Sequence, residues 1–320
     1  SQFNVGVDLS LFNNRLRMTA DYYRKKTTDL LNNVEMPRSS GYTTALRNIG
    51  SIRNSGFELQ LDGRIIDRAV KWDLGVNFSL NRSKVLVLSE DKDIFGGELD
   101  NTILKDQLNL MRVGEPMYVF YGYVEDGYDE NGHIVYKNMD DDPAITAADK
   151  TIIGDPNPDF LVNLTTAVSY KGFTLSAFFQ SSIGNDIYSL SMAAQAYDYG
   201  YNGNTLREVY YNHWTPENPT AKYPNLDQTS YKMSDRFVYD GSFVRLKNLE
   251  LAYDVPCARN KFIKRARVYV SAQNLFTITS YPFWDPDINA NGGGSSMIQG
   301  VDSYCYPSAR TYTIGCRLTF

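Results

Sequence analysis

A chain of 320 residues that is 42% hydrophobic with a formal net charge of −5 is too apolar for a disordered segment and carries the wrong sign for a nucleic-acid surface. It has no run of eighteen apolar residues, so no transmembrane helix, and its three cysteines, Cys257, Cys305 and Cys316, form no CxxC pair of a zinc site or disulfide scaffold. The excess is aromatic, 13% with 24 Tyr, as interfacial girdles or sugar-binding surfaces require.

In chain order, the opening SQFNVGVDLSLF has no basic region, apolar core or cleavage site of a leader. It alternates instead, setting Phe3, Val5, Val7, Leu9 and Leu11 against Asn4, Gly6, Asp8 and Ser10. After Asn13-Asn14, a pair that tolerates the left-handed backbone of a tight turn, Leu16, Met18, Ala20 and Tyr22 resume the pattern. Phe57, Leu59 and Leu61 follow, then Trp72, Leu74, Val76, Phe78 and Leu80, with Glu58, Gln60, Asp62, Asp73, Asn77 and Ser79 opposite. A hairpin turning at Lys171-Gly172 comes next, then VRLKNLELAYDV, ARVYVSAQNLFTIT and the terminal TYTIGCRLTF, whose Tyr312, Ile314, Cys316, Leu318 and Phe320 share a face.

The alternation predicts about nine strands, many near ten residues, longer than strands usually are in water. The links run short at Asn13 to Asn14, long from Leu31 to Ser51, short from Gly63 to Lys71 and very long from Ser89 to Asp159. Then come Lys171 to Gly172 (short), Ser182 to Asp240 (long), Val255 to Lys264 (fairly short) and Ser280 to Ser308 (long). Strict alternation gathers every long loop at one end, as in outer-membrane barrels with short periplasmic turns and long extracellular loops; Greek-key sandwiches give no such sorting. The expected fold is therefore all-β, an antiparallel up-and-down transmembrane β-barrel. About nine strands leave an open edge in lipid, so further N-terminal strands are expected outside this chain.

Several stretches resemble the C-terminal part of the SusC/RagA-type TonB-dependent outer-membrane transporters of Bacteroidetes: RNIGSIRNSGFELQL, TIIGDPNPDF, DGSFVRLKNLELAY, VYVSAQNLFTIT and YPSARTYTIGCRLTF. The resemblance implies that residues 1–320 are a C-terminal portion of a barrel of about 22 strands, with a plug and the remaining strands absent from this chain. It implies TonB-dependent import of oligosaccharides across the bacterial outer membrane, or of oligopeptides by the same mechanism. The implied partners are a SusD-like surface lipoprotein, the TonB system acting through the plug, the barrel-assembly machinery and outer-membrane lipid. Family members end on an aromatic, so Tyr312, Ile314, Leu318 and Phe320 look like an assembly signal. No nucleic acid is expected as a partner.

Two kinds of residue are candidates for a site. Asn138, Asp140, Asp142 and Asp149 occupy positions 1, 3, 5 and 12 of an EF-hand-like loop, which would hold a structural calcium ion; Pro143 stands where such a loop needs its glycine. Aromatic clusters in the long loops, Tyr118, Tyr121, Tyr123, Tyr197, Tyr199, Tyr201, Trp214, Tyr281, Phe283 and Trp284, offer rings that stack on sugars or pack loops against each other. Catalysis is not expected: His133 and His213 have no Cys or Ser motif nearby, and GxSxG, HExxH and GxGxxG do not occur. A soluble all-β glycan hydrolase using a pair such as Asp285 and Asp287 is the alternative from another class. The topology places the three cysteines at a periplasmic turn, an extracellular loop and the lipid face, too far apart for the roughly 7 Å limit between bridged Cα atoms.

Overall fold

The structure, a computed structural model, describes residues 1–35, 39, 41, 44–88, 92–100, 104–197, 204–257, 262–288 and 297–320. Among the described residues, nine strands form one sheet in chain order, each antiparallel to the last. They are β1 (Gln2–Leu11), β2 (Leu16–Glu35), β3 (Thr44–Asp67), β4 (Val70–Leu88), β5 (Phe160–Tyr170), β6 (Phe173–Ile183), β7 (Phe243–Val255), β8 (Arg265–Thr279) and β9 (Thr311–Thr319). The expected fold and strand count are present, and three of the four links expected to be long are long.

Register explains why these sequences make a membrane wall. Leu9, Met18, Leu61, Val76, Leu164, Phe179, Leu246 and Phe276 pair in a single row across eight strands. One residue away, Asp8, Thr19, Gln60, Asn77, Asn163, Gln180, Arg245 and Thr277 form another row. The first row is wholly apolar and the second wholly polar. A slip of one residue between any two strands would exchange the faces, so burial of one face in hydrocarbon fixes the register. The apolar face stays uncovered by protein: Val7, Val270 and Ile314 are 49%, 47% and 86% exposed.

Turn chemistry sits at the short-link end. Phe12, Asn13 and Asn14 all have positive φ (54°, 56° and 64°), and Lys171 (47°) with Gly172 (86°) makes the two-residue hairpin, mirror-type turns that follow the strand twist. One expected loop is instead mostly strand. The link read as Leu31 to Ser51 is a continuation of β2 and β3, paired out to Glu35 and Thr44. Register shifts between Thr27 and Leu31, with Asp29 at φ 57°, reset the alternation there and hide the strand from a period-two reading. A second bulge lies on β7 opposite Phe178 and Phe179 and on β8 at Asn274 (φ 52°).

Apolar burial is concentrated away from the wall. The larger core cluster draws Phe120 and Tyr123 from the loop between β4 and β5, Tyr188, Tyr197, Tyr223 and Phe237 from the loop between β6 and β7, and Ile298 and Val301 from the loop between β8 and β9. Three loops thus fold into one cap.

Candidate functional site

Backbone pairing builds the cap first. The segment Asp186–Ser189 pairs antiparallel with Val238–Asp240 and parallel with Val301–Asp302, which ties the second and third cap loops together. The first loop joins through Tyr123 N donating to Met233 O (2.9 Å) and Asp235 N donating to Tyr123 O (3.0 Å). Side chains then lock it. Arg236 donates to both carboxylate oxygens of Glu125, and Ser234 Oγ donates to the same carboxylate at 2.6 Å; the Arg236 and Glu125 side chains are only 16% and 10% exposed. A charged pair this dry holds only when its remaining donors are satisfied, here by Lys222 O and Tyr128 Oη.

Most of the aromatic candidates serve this packing. Tyr123, Tyr197 and Tyr281 are buried, at 5%, 5% and 4% exposed. Tyr197 stacks flat on Tyr231 at 3.8 Å, and Tyr123 lies 5.6 Å from Tyr136. Tyr281 Oη bridges Asp302 Oδ2 (2.5 Å) and Ser189 Oγ (2.9 Å), and burial together with the Asp302 hydrogen bond pushes its hydroxyl pKa well up. For these three the expectation of ligand stacking gives way to core packing, because three loops meeting at one end need large rings to fill the space between them. Tyr118, half-buried with φ 65°, packs on a small cluster of Ile52, Val85, Leu88 and Met111. Tyr121 is half-buried between Phe95 (5.9 Å) and the Arg112 guanidinium (5.0 Å). Trp214 is half-buried, with its ring against Gly132. Tyr199 and Tyr201 lie outside the described residues.

Open rings are found elsewhere. Trp284 is 56% exposed and stacks on Phe283 at 4.7 Å and 19°. Tyr210, Tyr211 and Tyr306, not singled out from the sequence, are 62%, 64% and 89% exposed. The run VYYNHW carried the signal for the first two, and the pair Tyr304 and Tyr306 in SYCYP carried it for the third.

The acidic run forms a chain of turns. Asp140 N donates to Asn138 Oδ1, Asp142 N to Asp140 Oδ1 and Ala144 N to Asp142 Oδ1, at 3.1, 2.8 and 3.0 Å. Asp149 accepts from Met139 N and Thr146 N, both at 2.7 Å, and these backbone donors hold its carboxyl below the usual carboxylate range. Among the described residues no three His, Cys, Asp or Glu side chains are grouped to hold a metal ion. Asp140 and Asp142 each give a single oxygen to these turns.

At the edge of the sheet, Tyr312, Ile314, Leu318 and Phe320 are 69%, 86%, 44% and 71% exposed. None of the three cysteines is in a disulfide. At the cap end of the wall, Arg245, 2% exposed, reaches inward to Asp285, Asp287 and Ser308 of the third cap loop. Burial alone would raise the Asp285 carboxyl, but the Ser308 and Asp287 N–H groups and Arg245 hold it below its ordinary value.

Comparison with known proteins agrees with this geometry. Residues 1–275 match the family model described as TonB dependent receptor-like, beta-barrel. The TonB-dependent receptor P3 of Formosa agariphila is 33% identical over 341 residues, covering 100% of this chain and 34% of that protein. The TonB-dependent receptor SusC of Bacteroides thetaiotaomicron is 29% identical over 330 residues, covering 99% of this chain and 31% of SusC. The RagAB peptide importer in its closed-closed state superposes with a TM-score of 0.84 at 28% identity, over 100% of this chain and 35% of that one. The chain spans about a third of the length of the curated relatives it matches.

Proposed function

The chain belongs to the TonB-dependent receptor-like β-barrel family, is of the SusC/RagA type and resides in the bacterial outer membrane, and on that premise we propose that it forms part of an oligosaccharide importer. The observation that carries the reading is the pair of adjacent rows in the wall, apolar outward and polar inward, closed at one end by a folded cap. Such a wall encloses an aqueous path through lipid, and a cap at its mouth selects what enters. Transport is favoured over the hydrolase because a water-soluble enzyme would leave the apolar row bare. Import against a gradient takes energy from the TonB system through a plug. A SusD-like surface lipoprotein closes over the long-loop end, covering exposed rings such as Tyr210 and Tyr211.

Import of oligopeptides is a second reading, favoured by the likeness to the RagAB peptide importer. Uptake of labelled oligosaccharides and labelled peptides by cells with and without the gene, each with TonB present or depleted, tests both. TonB-dependent accumulation of sugar supports the first reading and accumulation of peptide alone the second; no gene-dependent uptake of either contradicts both.

A further inference from the structure

The outward face of the wall is uneven at its short-turn end. Register sets Phe173, Tyr253, Val268 and Cys316 in one row across β6 to β9, and Leu175, Leu251, Val270 and Ile314 in the next. In the first row two large side chains are followed by two small ones. The Phe173 and Tyr253 rings, 4.5 Å apart, stand beside the shorter Val268 and Cys316, and that step leaves a trough. A cavity of about 560 Å³ lies there, lined by Phe173, Leu251, Tyr253, Val268, Val270 and Cys316 among others. Among the described residues no charged side chain lines it.

Cations bracket the lower end of the trough. Lys171, at φ 47° in the hairpin before β6, holds its ammonium 5.2 Å from the centre of the Tyr170 ring. Lys264 precedes β8, and its N–H donates to Thr319 O at 2.7 Å, which pins it level with the last residues of β9. Both lysines are exposed, and neither has an acidic partner among the described residues. Asp254, next to Tyr253, alternates to the inward face and is engaged there by Arg265 and Arg267. Lys171 adjoins β6 and Lys264 adjoins β8, two strands on, so at about 4.8 Å per strand they stand roughly 10 Å apart across the trough. Two flexible four-carbon stems span that gap and bring both ammonium groups to one anion.

An apolar trough that ends between two unpaired cations fits an amphiphile with an acyl chain and an anionic head. We propose that it is a binding site for an anionic phospholipid of the periplasmic leaflet, with one acyl chain along Leu251, Val268 and Val270 and the phosphate held by Lys171 and Lys264. The trough is continuous with the lipid-facing wall, so the membrane that holds the protein also supplies the occupant. A zwitterionic head carries its own cation and offers the lysines no net charge. A water-soluble acidic partner would use the lysines and leave the trough bare.

The test is native mass spectrometry of the full-length transporter in detergent, equilibrated with equal amounts of phosphatidylglycerol and phosphatidylethanolamine of identical chains. The parent should retain phosphatidylglycerol roughly tenfold over phosphatidylethanolamine. Lys171→Gln and Lys264→Gln should each cut that preference roughly two- to fivefold, and Lys171→Arg should keep it. Val268→Phe, which fills the trough and keeps it apolar, should weaken retention of both lipids while the preference between them stays. If Val268→Phe inserts poorly, the lysine variants, outside the apolar band, still decide. Equal retention of the two lipids by the parent, or an unchanged preference after both lysines are replaced, overturns the site. Full retention of both lipids by inserted Val268→Phe overturns the trough as the seat of the chain. With lipid A in place of phosphatidylethanolamine, stronger retention of lipid A than of phosphatidylglycerol overturns the leaflet.

Discussion

The wall and the cap obey opposite burial rules within one chain. In the wall, Val5, Val7, Leu9 and Leu11 of β1 are 52%, 49%, 41% and 45% exposed, and no protein layer covers them. In the cap, Phe120, Tyr188 and Phe237 are at most 2% exposed. The difference follows from the solvent each faces: lipid takes the place of a core on the outside of the wall, while the cap, surrounded by water, must build its own. Wall order comes from the register of long strands and cap order from short strand pairs, packing and a few dry charges, so the two should fail separately.

The largest separation is expected from Arg236→Ala. It leaves Glu125 buried without its partner, at a cost of about 3–5 kcal/mol borne by the cap alone. Hydrogen exchange should show the segments around Glu125 and Met233 opening while β5 to β8 keep their protection; parallel loss in the strands would mean that cap and wall fold as a unit. A smaller effect of opposite address comes from Val270→Arg, on the outward face between Leu251 and Ile314. A cation in the apolar band costs about 2–4 kcal/mol, which should lower the recovery of inserted protein and leave cap exchange unchanged, whereas Val270→Ala should insert normally.

The smallest effect is on pH. Asp149, Asp240 and Asp285 are held below the usual carboxylate range by hydrogen bonds, despite the opposing pull of burial. A carboxylate depressed on folding adds stability above its unfolded pKa of about 3.9 and loses it as pH falls toward the folded value. Asp186 runs the other way, raised by burial and by its neighbours Asp155, Asp240 and Asp159, so mild acid relieves it before the others protonate. Cap protection, corrected for the intrinsic amide rate at each pH, should therefore stay flat or rise slightly down to about pH 4 and fall below it. Protection lost from near neutrality would contradict the assignment.

The wall was legible because a strand in lipid writes its environment in period two: Leu74, Val76, Phe78 and Leu80 could be placed on the lipid side without any partner strand. The β2–β3 extension was not, because a bulge near Asp29 shifts the period and local pattern then points to the wrong face. The cap was readable only as length and aromatic content. Whether a ring such as Tyr197 or Trp284 ends inside or outside depends on contacts between loops over a hundred residues apart in places, as with Glu125 and Arg236, and no local period encodes these. The acidic run has the spacing of a calcium loop, and the same i to i+2 spacing sets the Asx turns that form here.

The central claim is that the cap faces the outside of the cell and the short turns face the periplasm. Antibody access on intact cells tests it most directly, with one epitope inserted between the exposed Glu130 and Asn131 of the cap and another between Lys171 and Gly172. The cap epitope should be labelled on intact cells and the hairpin epitope only after the outer membrane is permeabilised. Labelling of the Lys171-Gly172 epitope on intact cells, with the cap epitope protected, would reverse the topology and contradict the account.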